Sequence, residues 1–167
     1  LAFGVTLFAP AFQDDALLRR TVVLQNQWAT DAVFQLLDDE SVRANFGRFD
    51  EIDCERLWPD ALYSDMHLEL RALMLKFELC YQLPDVHPAV WLVPQLLPLS
   101  RPSTLDKWEQ PGDMIMRFSY DFLPKGMISR LMVRKHYFVH RPDLGWQNGV
   151  LFEQGATQLL AEVPYGS

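Results

Sequence analysis

Between positions 28 and 37 the apolar residues Trp28, Ala32, Val33, Leu36 and Leu37 recur at a spacing that places all five on one side of a helix. Asn26 stands where that helix needs a side-chain cap. Upstream, 5–8 (Val-Thr-Leu-Phe) and 21–25 (Thr-Val-Val-Leu-Gln) are short and β-branched, and a polar turn around Gln13, Asp14 and Asp15 separates them, which predicts two strands. Asp50 can cap a second helix carrying Ile52 and Leu57, ended by Pro59 after Trp58. Ser64 can cap a third, with Met66, Leu70, Leu73, Met74 and Phe77 on one stripe and Leu68, Leu75 and Leu79 on another. Two stripes predict burial on two sides. Residues 79–83 and 89–93 then read as a hairpin around a Pro-Asp-Val-His-Pro loop. Three helices followed by a two-stranded wing form a winged-helix pattern.

Prolines 94, 98, 102 and 111 make 94–112 read as an extended connector, and here the chain divides. Beyond it, 114–120 (Met-Ile-Met-Arg-Phe-Ser-Tyr) alternates and predicts a strand, 120–139 a helix, and 149–153 and 158–162 two further strands. The expected fold class is therefore α+β. It has a helical, winged-helix-like first lobe over 1–98, a connector over 99–113, and a small, truncated α/β lobe of strand, helix, strand and strand over 114–167. So thin a second lobe is marginal by itself.

Length bounds this picture at one domain or two small lobes, and with 49% hydrophobic residues the 167-residue chain must build a core. The net charge of −7 argues against a general polyanion binder, because nucleic-acid affinity rests on neutralising phosphates. The balance is uneven: residues 1–113 hold 18 of the 22 acids and 9 of the 15 bases, leaving 4 acids and 6 bases for the second lobe. Cys54 and Cys80 fall in helical patterns without a metal-ligand neighbour, so buried thiols are expected, which suits a cytoplasmic location. The apolar opening, interrupted by Gly4 and Pro10, reads as an excerpt starting inside a strand, not as a signal peptide. No run of 18 apolar residues is present, which predicts no membrane span.

Candidate chemistry is sparse. A recognition helix for DNA needs a basic or polar face, whereas the third predicted helix carries Asp65, Glu69 and Glu78 against Arg71 and Lys76. Lys125-Gly126 lacks the glycine-rich run of a phosphate loop; Pro124 presets a first helical turn and Gly126 permits close packing on a strand. His136, His140 and Asp143 have ligand-like spacing, but the helix should fray before Pro142. Ser129 and His136 lie too far apart along a helix to form a catalytic pair. Asp38, Asp39 and Glu40 read as a solvated helix end. On the predicted helix over 120–139, Met127, Ile128, Leu131 and Met132 form one face and Arg130 and Arg134 another, able to pair with carboxylates of a neighbouring domain.

A set of short stretches is more specific. Gly4-Val-Thr-Leu with Phe12-Gln-Asp, Val23-Leu24, Trp28, Gly47-Arg-Phe, Leu57-Trp58-Pro59, Leu73-Met74 with Phe77 and Cys80, Leu92-Val-Pro94, and Leu96-Leu97-Pro98 come in that order. Tyr120-Asp-Phe-Leu-Pro-Lys-Gly126 with Arg130, Val133 and Arg134, then Trp146-Gln-Asn-Gly-Val150, complete the set. Together they resemble the COR domain of Roco proteins, over nearly the whole chain. The resemblance implies a first lobe packed against a Ras-like Roc GTPase domain in cis and a second lobe supporting a homodimer. It implies no catalysis and no cofactor in this chain, with GTP or GDP held by the adjacent Roc domain. Val22 and Trp28 are then expected on the GTPase-facing side, and Arg130 and Arg134 at an interlobe or interdomain contact. The stretch Phe8-Ala-Pro-Ala11 is longer than the family pattern, and the family's second lobe continues with more strands and a helix. A sheet left with an open edge and face tends to associate. The alternatives are a winged-helix nucleic-acid-binding module, marked by salt-steep affinity, and a hydrolase, marked by a deep pocket of convergent groups.

Overall fold

The computed structural model describes residues 26–59, 63–108 and 113–164. The expected strands at 5–8 and 21–25, and Val22 with them, lie outside these residues. Helix α1 (Asn26–Asp38) buries Ala32 and Leu36 completely and packs Trp28, Val33 and Leu37 partly against the same core. A short helix that periodicity did not reveal follows, α2 (Glu40–Ala44). Its cap is Asp39, whose carboxylate accepts from the Val42 amide at 2.9 Å, so the acidic run begins a helix as well as ending one. Gly47, at φ 81°, then turns the chain into β1 (Arg48–Phe49).

Helix α3 (Glu51–Leu57) starts at Asp50 as expected, through a reciprocal capping box with Asp53, and stops at Trp58. The indole of Trp58 is fully buried and donates to the Ala32 carbonyl at 3.0 Å, tying the end of α3 to the middle of α1. Helix α4 (His67–Lys76) departs from expectation twice. Met66, not Ser64, occupies the cap position and makes no side-chain bond there; the chain enters instead through a turn in which the Met66 amide donates to Tyr63 O at 2.8 Å. Only one stripe is buried: Leu70, Leu73 and Met74 face inward, while Leu68, Leu75 and Phe77 are exposed. Arg71 joins the buried side because its guanidinium lies over the Trp91 ring, 4.6 Å from the centroid, and pairs with Glu51.

The hairpin forms from β2 (Tyr81–Gln82) and β3 (Trp91–Leu92), antiparallel as read from the sequence, with β1 added on the far side of β3 to give the order β1-β3-β2. Alternation along these strands sends side chains to two different cores. Cys80, Trp91 and Val93 join α1, α3 and α4 in the first core; Tyr81, Leu83, Leu92 and Leu97 join Ile128, Met132, Val133, Val150 and Phe152 in a second. The wing is therefore the shared wall of both lobes. Each fully buried leucine in it contributes about 2 kcal/mol of transfer free energy.

The connector is less extended than its prolines suggest. It makes short 3-10 turns at Pro94–Leu96 and Ser103–Leu105, and Leu105 packs with Leu144, Trp146 and Leu151 in a third cluster. In the second lobe α5 (Met127–Arg134) is eight residues long, followed by a 3-10 turn at His136–Phe138, so the helix is shorter than the expected 120–139. Strands β4 (Gly149–Gln154) and β5 (Thr157–Glu162) form an antiparallel pair around Gly155 and Ala156. The expected strand at 114–120 is the clearest miss. It has no regular secondary structure and no ladder partner among the described residues, and its large apolar side chains are solvent-exposed. Helix, small sheets and their order make the fold α+β.

Candidate interaction surface

Helix α5 is positioned by its apolar face. Ile128, Met132 and Val133 are buried against the wing and β4, which turns the opposite face, with Arg130 and Arg134, to solvent. The helix begins at Gly126, in the left-handed region at φ 77°, where an added Cβ would meet nothing within 4 Å. The residue serves a backbone turn and not the close strand packing expected from sequence. Between Pro124 and the exposed side of α5 lies an open cleft of about 260 Å³ lined by Pro124, Lys125, Met127, Arg130, Leu131 and Arg134. Its floor is apolar and its rim basic.

The two arginines differ. Arg134 Nε donates to Glu78 Oε1 at 2.7 Å, reaching from the second lobe to the first, and this hydrogen bond raises the guanidinium pKa further. Glu78 is held for this contact at φ 58°, just past the end of α4. Arg130 is exposed, and like Lys125 it has no ion-pair partner among the described residues. Trp28 belongs elsewhere: it packs on the first core and stacks on Tyr63 with centroids 5.4 Å apart. Trp28 and the arginines thus sit in different packing units, and Val22 is outside the described residues.

Sequence reasoning missed the wall between the lobes. Tyr81 is buried there and stacks on His136 at 5.4 Å, with a hydroxyl that lacks a hydrogen-bond partner among the described residues; burial raises its pKa. The signal was present in the nearly continuous apolar run of 89–93, which marks a strand covered on both faces.

The remaining titratable clusters serve packing. Asp39 takes two hydrogen bonds from Arg56, both 2.8 Å, and these, with the Val42 amide, hold its carboxyl at about 2. Burial pushes the Cys54 thiol up to about 11, against the opposing pull of Arg71, and Cys80 to about 12, so neither is a nucleophile at neutral pH. His136 Nδ1 donates to Val133 O at 2.8 Å, and no group of three or more His, Cys, Asp or Glu suited to a metal occurs among the described residues. No described helix is long and apolar enough to cross a membrane. On α4, Arg71 is consumed by Glu51 and Trp91, so the helix expected to test DNA binding turns only Lys76 outward as a cation.

Comparison with known proteins matches the chain to two family models, and the second core draws residues from both. Residues 3–97 match the C-terminal of Roc, COR-A domain, and residues 112–166 the C-terminal of Roc, COR-B domain. Among similar proteins are a probable serine/threonine-protein kinase, pats1, of Dictyostelium discoideum, and a Roc-COR-CHAT protease of Runella zeae. The first is 26% identical over 163 residues, covering 91% of this chain and 5% of that protein. The second is 27% identical over 160 residues, covering 91% of this chain and 16% of that protein. The probable serine/threonine-protein kinase roco11 of Dictyostelium discoideum is 24% identical over 159 residues, 84% of this chain and 10% of its own length. The chain thus spans a small part of each of these relatives.

Proposed function

Since the chain belongs to the COR family of Roco proteins, we propose that it is a non-catalytic coupling module, packing against a Ras-like Roc GTPase domain in cis and joining two copies of the protein. In this reading GTP or GDP is bound by the Roc domain, and COR converts the nucleotide state into a change in dimer arrangement. The compartment is the cytoplasm. The Roc-COR-CHAT protease of Runella zeae carries Roc and COR side by side in its name, which supports this order of parts.

The observation that carries the proposal is the shared wing. A module that relays a signal needs its two ends mechanically joined, and β2 and β3 present one face to each core. A rigid displacement of α1, α3 and α4 would move α5 with it, because packed interiors transmit strain. Trp28 and Val22 are assigned to the Roc-facing side, and Arg130 with Arg134 to a contact between lobes or domains; the Arg134–Glu78 pair supports the interlobe part for Arg134.

Light scattering across concentration tests this reading, using the 167-residue chain with and without a Roc domain, loaded with GDP or a non-hydrolysable GTP analogue. The expected result is a complex with Roc whose mass shifts between the monomer and dimer values with nucleotide. Failure of the Roc domain either to bind or to alter the mass would refute the coupling role.

A further inference from the structure

The junction between the lobes contains a residue that breaks two local rules. Beyond the last residue of α4, Lys76, the Glu78 amide donates to Leu75 O at 3.1 Å and the Leu79 amide to Met74 O at 2.9 Å. A helix ending closed by this pair of bonds takes glycine at its left-handed position, because a Cβ there is strained. Here the position, at φ 58°, is filled by Glu78. Its carboxylate is also an anion just past a helix C-terminus, the end whose partial negative charge favours cations. Glycine would serve the backbone better on both counts, so the backbone does not account for the glutamate.

The other lobe does. Glu78 Oε1 accepts from Arg134 Nε at 2.7 Å, and Arg134 closes α5, where the same helix polarity favours its positive charge. A second contact runs beside the first: Tyr81, just after this turn, stacks on His136, just past α5, with centroids 5.4 Å apart. Phe46 and Asp85 share a positive φ, but among the described residues Glu78 alone of the three forms an ion pair with the second lobe. The buried wall makes the lobes move together, whatever the direction. The ion pair adds a preference for one relative position, because it acts only within hydrogen-bond reach.

We infer that Glu78 and Arg134 form a latch between the lobes. The turn after α4 gives up local stability to aim a carboxylate at the end of α5, and the pair carries part of any displacement of α4 to α5. The regulatory part of this inference rests on the coupling role proposed above, in which the displacement starts at the Roc domain. Opening the latch loses one ion pair but releases the left-handed strain and moves the carboxylate away from the end of α4. The two positions are therefore close in free energy, as a two-position element biased by a partner requires.

The test measures the dimer dissociation constant by light scattering, with the 167-residue chain bound to a Roc domain carrying GDP or a non-hydrolysable GTP analogue. The parent should show a nucleotide-dependent change in that constant. Glu78→Gly and Arg134→Gln should each shrink the change about threefold, the scale of one exposed ion pair, and the double variant should shrink it no further. Thermal melting of the chain alone supplies a second readout. Glu78→Gly should melt about 2 °C above Glu78→Ala, which loses the same carboxylate but keeps the strain. A full nucleotide response in Glu78→Gly would overturn the latch and leave the coupling role standing, whereas no response in the parent would overturn the coupling role and the latch's part in it. Independent, additive effects of the two single substitutions would overturn the pairing. A glycine variant melting no higher than the alanine one would overturn the claim that the turn is strained.

Discussion

Residues 89–93 and 114–120 carry much the same message in sequence: short, apolar, rich in strand-forming side chains. One becomes β3, the centre of a three-stranded sheet with Trp91 in one core and Leu92 in another; the other is exposed and has no ladder partner among the described residues. Both patterns qualify for a strand, continuous in the first and alternating in the second, and only the first has partners among the described residues. β3 has β1 on one side and β2 on the other, whereas 114–120 has no strand beside it among the described residues. A strand is completed by its neighbours, and pattern only qualifies a segment for pairing.

Leu92→Ala tests the closed member of this pair most severely. The side chain is fully buried in the core that spans the lobes, so the substitution should destabilise the fold by about 4 kcal/mol through lost burial and the cavity left behind. Urea unfolding followed by tryptophan fluorescence and far-UV circular dichroism should show a single transition moved to lower concentration. Two separated transitions would mean that the wing does not unite the lobes.

Two glycines at similar left-handed angles sharpen the contrast at the level of one methyl group. At Gly47 an added Cβ would lie 2.5 Å from Val93 O, against the backbone of the wing, while at Gly126 it would meet nothing within 4 Å. Gly47→Ala should cost about 3 kcal/mol, combining backbone strain with a clash that a carbonyl cannot evade. Gly126→Ala should cost about 1 kcal/mol, from the backbone alone. Equal melting temperatures for the two variants would show that the space around the wing is not as tight as its geometry indicates.

Asp39 anchors the first lobe by chemistry instead of packing. Its carboxyl is held at about 2, below the ordinary 3.8, first by hydrogen bonds from Arg56. A carboxylate whose folded pKa is depressed contributes stability that is complete above about pH 4 and is lost as pH falls from there towards 2. Because Arg56 is nearly half exposed, the contribution is about 1 to 2 kcal/mol after screening. Asp39→Ala, which also removes the α2 cap, should lower stability at pH 7 by about 2 kcal/mol and flatten the pH dependence between 4 and 2. A variant that keeps the wild-type acid profile would assign that profile to other carboxylates.

What could be read in advance follows from the same distinction. Helix α1, the Asp50 cap with its stop at Trp58, the hairpin and β4–β5 were all legible, because each is specified by residues close together in sequence. Helix α2 was not, since five residues give no periodicity and its start is marked by one aspartate inside an acidic run. β1 is two residues long and exists only because β3, more than 40 positions later, pairs with it. Of the surface residues, Arg130 and Arg134 were legible as one face of a helix, but Glu78 as the partner of Arg134 was not. Its reach depends on a left-handed residue beyond α4 and on the tertiary approach of two lobes.

Phe118→Ser probes the open member of the pair and should have the smallest effect on stability. A residue already 70% exposed loses little burial on substitution, so unfolding free energy should stay within about 0.5 kcal/mol of the parent. Binding of a hydrophobic dye such as ANS should fall, because one of the large exposed apolar side chains of the segment has gone. The two readouts separate the possibilities. If the melting temperature drops by several degrees, Phe118 is packed in solution and the contrast with β3 disappears. If stability holds while dye binding falls, the apolar side chains of this segment are exposed in solution and add little to the folding of the described residues.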